Sequence, residues 1–326
     1  MIDTAATDGM TDGADRRGNA TDNTRNKAVL DLAPVIVNDS LFEDPDYTPL
    51  DIYHGPADAG APPPVPVIVS CPHAGRSYPA SMLAAAAEPV EALRGLEDFG
   101  IDCLLDDLAQ AGIPTLINRL SRAYIDVNRD PDAIDASMFS GKVSTRPPCH
   151  HVRAGYGLIP RLTAARKPIY SGKLPPAEIT SRVNRVHAPY HRCLTTMMDG
   201  SVARFGKALL VDMHSMPAFD RLNNRLSDII CGDGYGITLD RDMASAITKF
   251  FKGRGLSVSW NHPYAGGFIT RHYGVADSPR QSVQIEINRG LYMDGQTRLD
   301  SARMAELRAI IGDFGSFLAT QDIAAA

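Results

Sequence analysis

Short apolar runs alternate with longer amphipathic segments along most of the chain. The runs 65–70 (VPVIVS) and 208–215 (ALLVDMHS) are nearly continuous in apolar residues, which is typical of strands buried on both faces. In 282–290 (SVQIEINRG), apolar and polar residues alternate with period two, which predicts another strand. Four more strands are predicted over 115–120, 123–129, 227–233 and 255–261, and helices over 96–112, 175–206, 240–254 and 295–320.

This order of elements predicts one α/β domain with a mixed, mostly parallel sheet flanked by helices on both faces. Ligands of such sheets bind in the crevice at the carboxyl ends of the strands. Residues 1–28 are rich in Asp, Thr, Gly and Asn and nearly lack large apolar side chains, so we expect a disordered N-terminal extension there. The folded domain would then span 29–326.

Composition narrows the classes of partner. The 326 residues carry 33 Lys and Arg against 38 Asp and Glu, a formal net charge of −5, so no overall positive field attracts nucleic acid or anionic lipid. No apolar run approaches the roughly 20 residues of a membrane span, and the N-terminus lacks the apolar segment of a signal peptide. We therefore expect a cytoplasmic protein without nucleic-acid or membrane partners.

Two histidines follow or end predicted strands. His73 lies shortly after the run 65–70, and His214 lies near the end of 208–215. Each is either a hydrogen-bonded structural residue or a metal ligand at the carboxyl edge of the sheet. Asp212 precedes His214 by two residues and would either orient its imidazole or cap the next turn.

Carboxylates at two places could complete such a site. Glu97, Asp98 and Asp102 lie near the start of a predicted helix, where acidic residues are also favoured by the helix dipole alone. Glu286 lies in the middle of an apolar strand, where a charged residue needs a partner or a role. It would accept a proton from a metal-bound water, or it would form a buried ion pair with an arginine.

The segment 123–129 (AYIDVNR) carries a candidate for anion binding. As a strand, it would place Asp126 and Asn128 on one face and Arg129 at its exit. Arginine binds a carboxylate by a bidentate pair, although an ordinary surface ion pair is the alternative.

Two other motifs are less specific. The segment 260–274 (WNHPYAGGFITRHYG) has two adjacent glycines among aromatic and basic residues, which suits a mobile loop over a site or an ordinary turn. His187 and His191 have the i, i+4 spacing of two ligands on one helix face. Because Pro189 lies between them and no HExxH glutamate is present, we interpret this pair as structural or substrate-contacting.

Five motifs together resemble the N-formylglutamate amidohydrolase family. They are SCPHAGRSYP, SRAYIDVNR, LLVDMHSMP, NHPYAGGFITRHYG and VQIEINRGLYMD, in consistent order over roughly 65–295. The resemblance implies a fold related to zinc carboxypeptidases and aspartoacylase. It also implies hydrolysis of N-formyl-L-glutamate to formate and glutamate by 29–326 as a catalytic amidohydrolase domain.

The resemblance implies roles for particular residues. One Zn²⁺ per chain, or another divalent metal, would be held by His73, His214 and an acidic residue. Asn128 and Arg129 would grip the α-carboxylate of the substrate, and Glu286 would be the general base.

The acidic ligand departs from the related carboxypeptidases. Those enzymes have it three residues after the first histidine, but Arg76 occupies that position here. The family pattern implies Asp98 instead, with Glu97 or Asp102 as alternatives.

A glutamate substrate carries a second carboxylate, which calls for a second cation. Arg122, Arg153 and Arg271 are the candidates. Two rival functions remain at this point: a zinc amidohydrolase acting on another N-acyl amino acid or a short peptide, and a non-catalytic protein that binds such ligands.

Overall fold

The apolar runs form the strands of one central sheet in the computed structural model, which describes residues 32–44, 47–53, 65–295 and 298–321. The predicted disordered extension 1–28 lies outside these residues. Seven strands build the sheet, and their bounds are Leu50–Tyr53 (β2), Val67–Cys71 (β3), Thr115–Asn118 (β5), Ala208–Met216 (β6), Ile229–Gly232 (β7), Val258–Trp260 (β8) and Arg280–Asn288 (β9). Their order across the sheet is β2-β5-β3-β6-β9-β7-β8.

The sheet is mixed and mostly parallel, as predicted. The pairs β5/β3, β3/β6, β6/β9 and β7/β8 are parallel, whereas β2/β5 and β7/β9 are antiparallel. Successive side chains of a strand point to opposite faces, and every residue of β3 and β6 is buried, so both faces at the centre of the sheet are covered. Two short strands, β1 (Val35–Val37) and β4 (Ser77–Pro79), pair in parallel separately from this sheet.

Helices fill the connections between the strands. The described α-helices are Ala80–Ala85 (α1), Val90–Leu93 (α2), Asp106–Gln110 (α3), His150–Ala154 (α4), Ala177–Arg182 (α5), Ala188–Phe205 (α6), Arg241–Lys252 (α7), Phe268–Tyr273 (α8) and Ser301–Thr320 (α9). The predicted helix 240–254 corresponds to α7, which Asp240 caps by accepting a hydrogen bond from the Met243 amide. The predicted helix 175–206 is α5 and α6, joined by one π-helical turn, Val183–His187, just before Pro189.

Two predicted elements are wrong in detail. The segment 96–112 is not one helix: Gly100 has φ +73°, a short 3₁₀ turn follows over Ile101–Leu104, and α3 comes after it. The segment 123–129 is irregular: its described backbone hydrogen bonds run to Ser121 and to a loop distant in sequence, and not to a neighbouring strand. The Asp126 amide, for example, donates to the Leu158 carbonyl over 2.8 Å.

The chain leaves the two central strands, β3 and β6, toward opposite edges of the sheet. From β3 the chain continues to β5 on one side, and from β6 it continues to β7, β8 and β9 on the other. Such a switch point opens a crevice between the carboxyl ends of the two strands. The polar residues of the site gather there.

From Ala33 onward the chain forms one compact unit. Within the described ranges, we find no helix with both the length and the apolar character that crossing a bilayer requires.

Candidate active site

The site lies at the carboxyl ends of β3, β6 and β9. His73 follows β3 by two residues, whereas His214 belongs to β6 and Glu286 to β9. The parallel pairing of β6 with β9 sets His214 directly opposite Glu286. The regular register of β6 and β9 therefore places a histidine and a carboxylate side by side, both near the switch point.

Three side chains from separate parts of the chain converge in this crevice. The Nδ1 atoms of His73 and His214 are 3.1 Å apart, and Asp98 Oδ2 lies 2.9 Å from His214 Nδ1 and 3.6 Å from His73 Nδ1. All three residues are buried. The Asp98 amide donates to the His73 carbonyl over 2.9 Å, and this bond holds the irregular segment that carries Asp98 against the loop after β3.

The dimensions of this group fit a divalent metal ion. Zinc bound tetrahedrally at about 2.0 to 2.1 Å needs ligand atoms about 3.3 Å apart. The three separations, 2.9, 3.1 and 3.6 Å, scatter around that spacing. Within the described residues, this is the one group of three or more His, Cys, Asp or Glu side chains arranged closely enough to hold a metal.

The two alternatives for Asp98 point elsewhere. Glu97 accepts hydrogen bonds from Tyr78 Oη at 2.6 Å and from Arg94. Asp102 is paired with Arg76 and Arg119. Of these three candidate residues, only Asp98 joins the histidines.

A carboxylate holds the far nitrogen of each histidine. His73 Nε2 lies 2.7 Å from Asp126 Oδ1, and His214 Nε2 lies 3.0 Å from Asp212 Oδ2. Both carboxylates are fully buried. Such pairs fix the ring and its tautomer so that Nδ1 is left free for a metal, and they resemble the usual surrounding of metal-bound histidines. Of the two alternatives for Asp212, the structure has the orienting one.

Asp126 has the same role for His73, and the sequence analysis did not assign it. The signal was present in the YIDVNR motif, where Asp126 stands two residues before Asn128. Sequence alone, however, contains nothing that joins residue 126 to residue 73.

Buried charges set the protonation of the site. The pKa of His214 is raised well above its usual value. Burial alone would lower this pKa, but the charge of the Asp212 carboxylate raises it by more. Burial also opposes the shift at Asp98, where hydrogen bonds from His214 and then His73 lower the pKa of the carboxyl. Asp126 likewise keeps a low pKa in spite of burial, mainly because Arg122 is close. The ionised carboxylates thus favour a positive charge among them, which in the metal-free protein is the proton on His214 and which a bound metal would replace.

Glu286 is a buried carboxylate beside the histidines. Burial raises its pKa to about 7, although the charge of His214 acts against the shift. Gln284 Nε2 donates to Glu286 Oε1 over 2.9 Å. Glu286 forms no ion pair with an arginine in the part of the chain that the structure describes, so the alternative of a buried pair does not apply there.

A cavity of about 830 Å³ opens over His73, Asp98 and His214. Four arginines line it: Arg122, Arg129, Arg271 and Arg289. Arg153 is exposed, donates to the Pro148 carbonyl and is absent from the described lining, so we do not retain it as a substrate-binding residue.

Arg289 is a site residue that the sequence analysis missed. Its guanidinium donates to Asp98 Oδ1, to the carbonyls of Glu97 and Ser215, and to Ser215 Oγ. It thereby ties the segment of Asp98 to the end of β6, near His214. The INR sequence at the exit of β9 was the available signal, because it repeats the VNR sequence at 127–129.

Asn128 is almost fully buried, and its amide is used inside the protein. Nδ2 donates to Asp212 Oδ2 over 3.2 Å, and Oδ1 accepts from the Ile269 amide over 2.8 Å. Two histidines hold the backbone on either side of it: His191 Nε2 lies 2.9 Å from the Val127 carbonyl, and His187 Nε2 lies 2.9 Å from the carbonyl of Arg129. The pair 187/191 is therefore structural.

The loop within 260–274 borders the cavity with residues 263–268. The Gly267 amide donates to Gln284 Oε1, and a Cβ at Gly267 would lie 2.5 Å from the Asn128 amide atoms. Glycine is needed at this position because the backbone passes so close to the site.

Comparisons with known proteins agree on one family. The family model described as N-formylglutamate amidohydrolase matches residues 65–293. Two proteins named N-formylglutamate deformylase are similar in sequence. The one from Pseudomonas aeruginosa is 32% identical over 237 residues, covering 71% of this chain and 84% of that protein. The one from Pseudomonas putida is 27% identical over 235 residues, covering 71% and 82%.

Solved structures extend the likeness to the fold. The crystal structure of N-formylglutamate amidohydrolase from Ralstonia eutropha JMP134 has a TM-score of 0.75 and 31% identity, covering 83% of this chain and 98% of that one. A protein from Agrobacterium tumefaciens, at 18% identity and a TM-score of 0.55, shares the fold. Since the family model spans most of the chain and a relative above 30% identity is covered over most of its length, this chain belongs to the N-formylglutamate amidohydrolase family.

Proposed function

We propose that this protein is a zinc-dependent hydrolase that cleaves the formamide bond of N-formyl-L-glutamate to formate and L-glutamate. The observation that carries the proposal is the convergence of His73 Nδ1, Asp98 Oδ2 and His214 Nδ1 within 3.6 Å of one another, directly beside Glu286. The names of the similar proteins supply the substrate.

The donor set favours zinc. Two imidazole nitrogens and one carboxylate oxygen leave a fourth position open, which is the arrangement of hydrolytic zinc sites. Arg289 on Asp98 Oδ1 supports binding through Oδ2 alone, which keeps that position free. When bound, the metal would supply Lewis-acid chemistry: it would polarise the formyl carbonyl and make water more acidic.

Glu286 acts as the general base. It takes a proton from the attacking water and delivers it to the nitrogen of the leaving glutamate, so that one carboxylate serves both halves of the reaction. Its burial supports this role, because a carboxylate with a raised pKa both accepts and returns a proton near neutral pH. Gln284 holds one carboxylate oxygen by a hydrogen bond and leaves the other for the proton.

Arg129 and Asn128 hold the α-carboxylate. The Arg129 Nε and Nη1 groups donate to backbone carbonyls, and among the described contacts Nη2 has no hydrogen bond. Asn128 Nδ2 lies 3.2 Å from Asp212 Oδ2 and 3.1 Å from His214 Nε2. Since the tautomer of His214 with Nδ1 free for a metal carries its hydrogen on Nε2, that nitrogen does not accept from Asn128, and one of the two Nδ2 hydrogens is left for the substrate. Together these groups offer a cation and a neutral donor to one planar carboxylate.

Arg122 stabilises the negative charge that develops on the formyl oxygen. Asp126 Oδ2 accepts a hydrogen bond from Arg122 Nε over 2.8 Å, which fixes the guanidinium. The charge of Arg122 acts on both Glu286 and Asp98, which supports a position close to the reacting carbon. A fixed cation there stabilises the transition state more than the neutral substrate.

Formate release measured with zinc-loaded protein tests the proposal. We expect N-formyl-L-glutamate to be hydrolysed at least about tenfold more efficiently than N-acetyl-L-glutamate or a short peptide, and a chelator to abolish turnover until zinc is restored. Efficient cleavage of the acetyl or peptide substrate instead would favour the rival amidohydrolase. Binding of N-formylglutamate with no formate release would favour the non-catalytic protein.

A further inference from the structure

We propose that Arg271 recognises the side-chain carboxylate of the substrate and so determines the preference for an acidic N-formyl amino acid. This inference rests on the proposed function, because it concerns the same cavity and the same class of substrate. It names a cation that neither the family match nor the names of the relatives assign.

The short helix α8 presents two different faces. Ile269, Thr270 and Tyr273 are buried in the protein, whereas Phe268 and Arg271 line the cavity together with His272. Residues 268, 271 and 272 share one face, because positions three and four apart are neighbours on a helix. The cavity face of α8 thus carries two aromatic rings, those of Phe268 and His272, and the permanent positive charge of Arg271.

Helix α8 is tied to the site itself. The Ile269 amide donates to Asn128 Oδ1, and the Gly267 amide just before the helix donates to Gln284 Oε1, each over 2.8 Å. Asn128 contacts Asp212, and Gln284 contacts Glu286. The backbone of Arg271 is therefore held at a set distance from the reacting groups, as a specificity residue requires.

The other arginines of the cavity already have partners. Arg122 is bound by Asp126, and Arg129 by two backbone carbonyls. The Nε and Nη2 groups of Arg289 donate hydrogen bonds to Asp98, Glu97 and Ser215. Arg271, in contrast, has no side-chain hydrogen bond or ion pair with any residue that the structure describes, so its whole guanidinium fork is available to a ligand.

The length of the substrate favours a cation away from the metal site. Five bonds separate the formyl carbon of N-formylglutamate from its side-chain carboxylate, which is about 6 Å when extended. Arg122 acts on Glu286 and Asp98 and so belongs to the reacting end. A cavity of about 830 Å³ leaves room for the remainder of the substrate to reach α8.

Comparing two substrates on one enzyme preparation tests the inference. N-formyl-L-glutamine has the shape of N-formyl-L-glutamate without the side-chain charge, and the ratio of their kcat/KM values is independent of the fraction of folded enzyme. We expect the wild type to prefer the glutamate substrate and Arg271→Met to reduce that ratio about 10- to 100-fold, the loss typical of a hydrogen-bonded charge pair. Arg271→Lys should keep part of the preference.

Arg153→Met is the matched control, because Arg153 is exposed and outside the described cavity lining. It should leave the ratio unchanged, and zinc content should equal the wild-type value in all three variants. An Arg271→Met enzyme with the wild-type ratio would overturn the inference while leaving the hydrolase function intact, as would a wild type without preference between the two substrates. A zinc-loaded wild type that releases formate from neither substrate would overturn the proposed function and this inference with it.

Discussion

Removing the charge of Asp212 should weaken zinc binding without disturbing the fold. Asp212 is fully buried, and its Oδ2 lies 3.0 Å from His214 Nε2, so water cannot replace the lost charge. In Asp212→Asn the amide oxygen still accepts from His214, while the new NH₂ group faces Ser70 Oγ, which can accept its hydrogen. The substitution therefore isolates the effect of the charge on the basicity of His214.

The expected loss follows from the strength of the two kinds of hydrogen bond. A bond to a charged group contributes about 1.5 to 3 kcal/mol, and a neutral one about 0.5 to 1.5 kcal/mol. The difference of about 1 to 2 kcal/mol corresponds to a zinc Kd about 5- to 30-fold weaker. This range overlaps the losses usually seen when the partner of a metal-bound histidine is changed.

Competition with a chromogenic chelator measures that Kd, and circular dichroism with a thermal melt checks the fold of the metal-free variant. Ser70→Ala is the matched control: Ser70 donates to the other oxygen of Asp212 over 2.8 Å, so this change leaves the charge in place. It should alter the zinc Kd by less than about threefold. A folded Asp212→Asn protein that binds zinc as tightly as the wild type would refute the role given to this carboxylate.

Two further substitutions test the base and the packing around the site. Glu286→Gln should lower kcat by about 100-fold or more while leaving one equivalent of zinc bound. Formate release and metal analysis of the same sample measure these two quantities. Nearly full activity would exclude Glu286 as the base. Gly267→Ala would bring a Cβ within 2.5 Å of the Asn128 amide atoms, so we expect a loss of about 1 to 3 kcal/mol in the free energy of unfolding, measured with urea, together with lower activity. An unchanged free energy of unfolding would mean that the loop moves to accommodate the added methyl group, contrary to this prediction.

Much of the sheet and part of the site could be predicted from local patterns. The apolar runs that became β3 and β6 identified buried strands, and the period-two alternation of β9 picked out Glu286 as a polar residue in an apolar strand. The sequence also placed His73 and His214 each at the carboxyl edge of the sheet, and the resemblance to the family implied that they hold one metal together.

Local patterns failed where the backbone is irregular. Around Asp98, acidic and apolar residues suggested one continuous helix, but the Asp98 amide bonds to the His73 carbonyl and Gly100 adopts φ +73°. Around Asp126, alternation suggested a strand, yet the backbone bonds to a distant loop and its carbonyls to histidines of the helical segment 183–205. These bonds join residues far apart in sequence, so no window of the sequence contains both partners.

The sequence by itself therefore determined the class of fold, the strand positions of His214 and Glu286, and the chemistry available at the edge of the sheet. The resemblance to the family pointed to Asp98, and the tertiary structure decided between it and Glu97 or Asp102. Only the tertiary structure decided which carboxylates orient the histidines and which cavity arginine has no side-chain partner among the described residues. The physical reason is that hydrophobic periodicity records the local geometry of the backbone. The convergence of Asp98, Asp126 and Arg289 on the histidines depends instead on hydrogen bonds between segments that only the packed fold brings together.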